Sequence, residues 1–209
     1  MVARFPDGSF FDGTITTGNV NVRPGWKRSD LIQESLASYP IRWEAWRKWD
    51  EYNTVLPGTA ATDDLALIGG TFATGVPSIQ TSDAKATTVT QYARAMITMP
   101  IEYDAATDVV LRFHAGMKTT VSDTTATLDV QCFLSDKEGL VSGADKYAGA
   151  ALTINSIVLA DKDFTLSAGG LSPGDILDLR ITVAITDGAT GTAVLGWIGS
   201  AALLCDVRG

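Results

Sequence analysis

The sequence predicts an all-β fold, an antiparallel β-sandwich preceded by an extended arm with one or two short helices. Three observations carry this expectation. From about Thr88 onward, apolar and polar residues alternate with a period of two over long runs. Turn chemistry rich in Gly, Pro, Asp and Ser separates the runs. No helical periodicity intervenes there, which favours an antiparallel sandwich or barrel over a sheet with crossover helices. At 209 residues, 45% apolar and 19% charged, the chain can bury a core without disulfide or metal staples.

The chain divides near residue 56. Up to that point the acids and bases balance, so the remainder carries the whole net charge of −8. Trp26, Trp43, Trp46 and Trp49 also fall in this first quarter, and Trp197 alone lies beyond it. Residues 1–56 therefore read as an arm with a helical docking segment, 57–87 as a linker, and 88–209 as the sandwich.

Within the arm, Pro6-Asp7-Gly8 and Arg23-Pro24-Gly25 are turn signals, and Val20 and Val22 suit a short strand. Phe5, Phe10 and Phe11 are apolar anchors. Residues 30–37 predict a short helix, with Asp30 as N-cap and Gln33 three residues on as in a capping box. Ile41 to Tyr52 predicts a second helix. On it Trp43, Trp46 and Trp49 recur every three residues and would form one oblique aromatic stripe. That stripe either packs on its own sandwich or docks onto a partner, since interface cores favour Trp and Arg together. Trp26, Arg42 and Arg47 would accompany it. Leu56 to Asp64 is small and polar around Pro57-Gly58, and residues 65–85 stay rich in Gly, Thr, Ser and Ala, with at most a short extended piece near Leu65 to Phe72.

The sandwich strands follow. Thr88 to Met99 is rich in Thr and β-branched residues and closes at Pro100. Val109, Leu111 and Phe113 face one way, with Val110, Arg112 and His114 opposite. Leu128, Val130, Cys132 and Leu134 face inward. Leu152 to Leu159 is a further apolar run. Leu177, Leu179, Ile181, Val183 and Ile185 alternate with Asp178, Arg180, Thr182 and Ala184. Ser172-Pro173-Gly174-Asp175 suits a type II turn. Ser135 to Gly139 and Thr186-Asp187-Gly188 open hairpin-like loops. The closing run, Ala193 to Val207, is apolar on both faces, so a second surface, from the arm or another subunit, should cover it.

Chemistry is sparse. The acidic balance argues against nucleic acid and against an anionic membrane surface. Met1 to Gly8 contains no apolar h-region and reads as no signal peptide, and no run of about 18 apolar residues suggests a transmembrane span. Synthesis in a cytoplasm is therefore expected. Cys132 and Cys205 lack metal-ligand spacing and read as small buried hydrophobes. His114, the one histidine, sits beside Arg112 and reads as a surface or interface residue. Gly196-Trp197-Ile198-Gly199-Ser200 lacks the spacing of a nucleophile elbow. Glu102, Asp104 and Asp108, and then Asp161-Lys162-Asp163, read as solvated loop and turn acids. Gly69-Gly70 and Gly169-Gly170 lack a phosphate loop's Lys and following helix. No catalytic residue, cofactor or metal site is expected.

Three strings carry a resemblance. They are Met99-Pro100-Ile101-Glu102-Tyr103 running on to Asp108-Val109-Val110-Leu111-Arg112-Phe113, then Leu171 to Arg180, and the closing strand ending in Leu204-Cys205-Asp206. Over about residues 88–209 the chain resembles the jelly-roll decoration (cement) or head-fibre-type structural proteins of tailed bacteriophages. The arm is similar in kind to those that grip a capsid shell. The resemblance implies a jelly-roll sandwich, a homotrimer on the capsid surface of a virion, a major capsid protein as partner, and no catalytic residues. Trp26, Trp43, Trp46, Trp49, Arg42, Arg47 and Trp197 are the candidate partner-binding residues. A carbohydrate-binding jelly roll or receptor-recognition tip is the alternative, although Trp197 is the only tryptophan expected on the sandwich. A hydrolase using the loop carboxylates is the third reading.

Overall fold

A computed structural model describes residues 3–4, 10–11, 34–105 and 107–208. Two antiparallel sheets pack face to face. The strands are β1 (Ala3–Arg4), β2 (Phe10–Phe11), β3 (Glu34–Pro40), β4 (Trp46–Arg47), β5 (Ala66–Ile68), β6 (Ser78–Gln80) and β7 (Thr88–Thr98). They continue with β8 (Val109–Met117), β9 (Thr125–Ser135), β10 (Val141–Ser142), β11 (Leu152–Thr153), β12 (Ala160–Leu166), β13 (Ile176–Thr186) and β14 (Gly196–Arg208). Sheet I runs β10-β9-β13-β7-β4, with β11 also on β9. Sheet II runs β12-β8-β14-β6-β5, with β3 also on β14. Among the described residues β1 and β2 pair only with each other.

The long strands β7, β8, β9, β12, β13 and β14 alternate between the sheets, so each loop joining them crosses the sandwich. This antiparallel alternation is a jelly-roll arrangement. The residues that the period of two selected face inward: Leu177, Leu179, Ile181, Val183 and Ile185 meet Val109, Leu111, Phe113, Leu128 and Val130 in one buried cluster, which Phe164 of β12 joins without having been selected. The type II turn also forms. Gly174 has φ +77, Asp175 N donates to Ser172 O at 3.1 Å, and Gly174 N and Met99 N tie the turn to the end of β7. Ser135 to Gly139 closes the β9–β10 hairpin, with Lys137 and Gly139 at positive φ. The loop opened by Thr186-Asp187-Gly188 is not a hairpin, because β13 and β14 lie in different sheets.

Both predicted helices are corrected. Residues 30–33 lie outside the described residues. Glu34–Pro40 is strand β3, paired from Glu34↔Arg208 to Pro40↔Ala202. β6 covers only Trp197 and Ile198 on that edge of β14, so the lower half of the edge is open to a strand. A ladder of backbone hydrogen bonds outweighs the weak preference of a short capped helix. Ile41 to Tyr52 contains only a 3-10 turn at Trp43–Ala45. Arg42 before it is extended, and Trp46 after it is extended again and pairs with Ala95 of β7. Lys48 N then donates to Thr54 O at 3.0 Å, closing a turn. The tryptophans therefore point to different places and form no stripe.

The expected linker, 57–87, holds β5 and β6, and Leu65 and Ile79 are fully buried. Gln91, buried on β7, fastens this segment through both ends of its amide: Oε1 accepts from Ser82 N at 2.7 Å and Nε2 donates to Thr62 O at 3.2 Å. In the Leu152 to Leu159 run only Leu152 and Thr153 are strand, and Ile157 and Val158 are 61% and 73% exposed. Asp161-Lys162-Asp163 is not a turn but part of β12, where Asp161 and Asp163 lie opposite His114 and Arg112. Part of the apolar two-sidedness of the closing run has a local cause. A bulge between Ile198 and Ser200 shifts the register, so Ile198 faces inward before it and Ala201, Leu203 and Cys205 face inward after it. Leu204 alternates with these inward residues and is still buried, at 7% exposure.

Cys132 and Cys205 are buried free thiols in opposite sheets. Burial, with Asp145 and Asp178 adding to it, pushes the Cys132 thiol up to about 12. The thiolate is the nucleophile. Alkylation of the native chain at mildly alkaline pH should therefore leave Cys132 unmodified, while denaturant should expose it at once. Mass spectrometry after iodoacetamide treatment reads this directly, and rapid native labelling would contradict the burial.

Asp187 organises the loops at one end of the sandwich. Its burial opposes ionisation. Donors from Thr190 Oγ1 (2.6 Å), Ala86 N (2.8 Å), Asp123 N (3.1 Å) and Thr190 N (3.2 Å) outweigh that and hold the carboxyl at about 2. An unfolded aspartate titrates near ~3.9. The carboxylate's stabilising effect is thus fully present above ~3.9 and is lost as pH falls through the folded value. Asp187→Asn should lower the melting temperature at neutral pH and flatten the wild-type fall in stability between about pH 4 and 2. Melting curves across that range test it, and parallel curves for the two proteins would contradict it.

Candidate functional site

The outward residues of three neighbouring strands form a polar and aromatic face on sheet I. Strand order places β13 between β9 and β7, so Arg180 lies opposite Arg94 on one side and Gln131 on the other. One step along, Thr182 lies opposite Tyr92. One step back, Asp178 lies opposite Phe133. The turn after β4 carries Trp49 over this face. Trp49 Nε1 donates to Asp63 Oδ2 at 3.0 Å, and its ring centroid is 5.1 Å from that of Tyr92. A groove of about 350 Å³ opens here, lined by Trp49, Arg94, Gln131, Phe133, Asp178 and Arg180.

The two arginines differ. Arg94 makes a two-pronged pair with Asp178, through Nε at 2.7 Å and Nη2 at 2.5 Å. That carboxylate raises the Arg94 pKa further. Arg94 also lies 5.4 Å from the centre of the Tyr52 ring. Arg180 lies against two neighbouring rings, 5.5 Å from Trp49 and 5.1 Å from Tyr92, and donates to Gln131 Oε1. Among the described residues no carboxylate pairs with it.

The sequence-predicted residues scatter. Trp46 is buried in the core, 6.3 Å from Phe113. Trp43 is half-buried against the core, and Arg42 is exposed. Arg47 donates to the carbonyls of Glu44 (2.6 Å) and Trp46 (3.0 Å). Trp197 is half-buried on sheet II beside Lys118, whose Nζ is 5.9 Å from the ring centre. Trp26 lies outside the described residues. Of the six that are described, Trp49 alone lines the groove. Tyr92, Arg94, Gln131, Phe133, Asp178 and Arg180 were missed as site residues. The outward phase of Gln131, Asp178 and Arg180 was visible, but not the strand order that sets them side by side.

The outer face of sheet II carries a ladder of ions. Arg112 pairs with Asp163 through Nε at 2.7 Å and Nη2 at 2.6 Å, which lowers the pKa of Asp163. His114 Nδ1 lies 2.8 Å from Asp161 Oδ1. The side chains of both pairs are close to half exposed, so solvent screens them and they add little to stability. Ser200 lies opposite His114 on β14, completing a row of Asp, His and Ser across three strands. No hydrogen bond joins His114 to Ser200 among the described residues, and a nucleophile needs that contact with its base. A second groove, of about 450 Å³, lies beside β12 and is lined by residues including Asp108, Lys146, Tyr147 and Asp163. Among the described residues, no group of three or more His, Cys, Asp or Glu could hold a metal ion, and no helix is long and apolar enough to cross a membrane.

No protein-family model matches the chain, and no curated protein does. Solved structures are similar at low identity. The CBM22-1 xylan-binding domain of Paenibacillus barcinonensis Xyn10C is 14% identical with a TM-score of 0.41, over 84% of this chain and 97% of that domain. A chain of infectious bursal disease virus, Gx strain, is 15% identical with a TM-score of 0.30, over 69% of this chain and 37% of that one. A chain of the Gt strain is 12% identical with a TM-score of 0.32, over 100% of this chain and 63% of that one.

Proposed function

We propose that this chain is a non-enzymatic structural protein of a bacteriophage particle, made in the host cytoplasm, which decorates or cements the capsid. It binds neighbouring major capsid subunits and its own copies, as a homotrimer on the capsid surface. One observation supports this above the others. β3 adds the end of the arm to sheet II through seven residue pairs with β14. A backbone ladder of that length ties whatever residues 1–33 grip to a rigid sandwich. Apolar anchors such as Phe5, Phe10, Phe11 and Trp26 lie in that segment. Burying them between capsid subunits would raise the free energy needed to separate those subunits, because binding stabilises the state that is bound.

The test is deletion of residues 1–33, which leaves every described strand of the two sheets in place. The shortened protein should keep its circular dichroism spectrum and melting temperature and lose particle binding. If it decorates particles as well as the full chain, the arm does not grip. A carbohydrate-binding module is the second reading. It is favoured by the placement of Trp49 and Tyr92 together on the sandwich, where the sequence suggested only Trp197.

A further inference from the structure

We infer that the groove on the outer face of sheet I binds a saccharide bearing a carboxylate, received by the guanidinium of Arg180. This names a ligand class for the second reading above and does not depend on particle binding, since its argument uses only lining residues between Trp49 and Arg180.

The inference starts from a contrast among three arginines on the outward faces of the sheets. Arg94 and Arg112 each have one edge filled by a two-pronged aspartate, Asp178 and Asp163. Arg180 has none among the described residues, although the chain's net charge is −8. Trp49 and Tyr92 pack near the guanidinium, and Gln131 Oε1 takes one of its five N–H groups. Stacking on aromatic rings uses the face of a guanidinium and leaves its in-plane N–H edge able to donate. A carboxylate is the acceptor that fits this fork, with two parallel charge-assisted hydrogen bonds.

The remaining lining selects the rest of the ligand. Trp49 and Phe133 offer ring surface of the kind that the apolar C–H side of a sugar ring can cover. The Gln131 amide nitrogen, and the Arg94–Asp178 pair with its spare donors and lone pairs, offer partners for hydroxyl groups. At about 350 Å³ the groove falls in the range of small-ligand sites. A carboxylate on a protein side chain would satisfy Arg180 but bring neither the ring face nor the hydroxyls. A nucleic acid would bring a run of phosphates, and the lining has only Arg180 to receive one, because Arg94 is taken by Asp178.

Calorimetry and tryptophan fluorescence with the full chain test this. The probes are trigalacturonic acid, triglucuronic acid and sialyllactose, with neutral galactotriose and N-acetylglutamic acid amide as comparisons. At least one acidic saccharide should bind saturably and about tenfold or more tightly than either comparison, since a charge-assisted pair is lost in the neutral one. Arg180→Gln should weaken that binding about tenfold or more, and Arg180→Lys should also weaken it, because an ammonium keeps the charge but not the fork. Both variants should melt as the wild type does. If Arg180→Gln is misfolded, Arg180→Lys decides alone. The inference is overturned if no acidic saccharide exceeds the neutral one, or if a folded Arg180 variant binds like the wild type. It is equally overturned if N-acetylglutamic acid amide binds as tightly as the saccharides, which would assign Arg180 to a protein partner. Loss of particle binding on deletion of 1–33 alters none of these outcomes.

Discussion

Trp46→Ala is expected to destabilise the protein by about 3–5 kcal/mol, the usual cost of deleting a large buried aromatic. Trp46 is 1% exposed. Its ring meets Phe113 at 6.3 Å, Phe113 meets Phe164 edge-on at 5.8 Å, and Phe164 meets Tyr147 at 5.2 Å. These rings run from the edge strand of sheet I into sheet II, so alanine would open a cavity where the two sheets are held together. A domain with only about 5–15 kcal/mol of stability would lose a large share of it. Trp49→Ala should differ. It removes a half-buried ring from the outer face and leaves the core intact, so its stability cost should be well below that of Trp46→Ala. Urea denaturation of both variants measures the contrast. A Trp46→Ala midpoint near wild type would contradict the core placement.

The second large effect concerns where the chain can be cut. Composition alone places the boundary near residue 56 and predicts a folded sandwich from the rest. The structure predicts that removing residues 1–56 abolishes folding. That cut deletes β3 with its ladder on β14, and the buried side chains of Ile41, Trp46 and Leu56. Each deleted side chain costs ~2–5 kcal/mol, and the exposed edge of β14 adds a liability for aggregation. Together these approach the whole stability of a typical domain. A cut before Glu34 should leave a monodisperse, cooperatively melting protein. Cooperative melting of the 57–209 fragment would show that the sandwich does not need β3 and β4.

What could be read in the sequence follows a single physical rule. Where a strand buries one face and leaves the other to solvent, period two reports it, and Leu177 to Ile185 was read correctly to the residue. The type II turn was equally legible, because Pro173 and Gly174 each have a local backbone reason to be there. Local signals failed where a distant edge decided the outcome. Glu34–Pro40 has a plausible helical reading by itself and becomes a strand because β14 offers it an open edge. Asp161 and Asp163 look like turn acids until Arg112 and His114 are placed opposite them on β8. The bulge between Ile198 and Ser200 puts Ile198 and Leu203 on the same inward face although they are an odd number of residues apart, and Leu204 on the other face is buried as well.

The tryptophan cluster carries the same lesson into function. The sequence by itself determined that the chain is an antiparallel β-sandwich, how the two faces of β8, β9 and β13 divide, and that tryptophans gather in its first quarter. Only the tertiary structure decided that Trp46 belongs to the core and Trp49 to a groove with Arg180, Arg94 and Asp178. Side-chain periodicity is set by neighbouring bonds within one strand and is written in the sequence. The order of strands in a sheet is set by contacts between residues far apart in the chain, and here that order is what assembles the site.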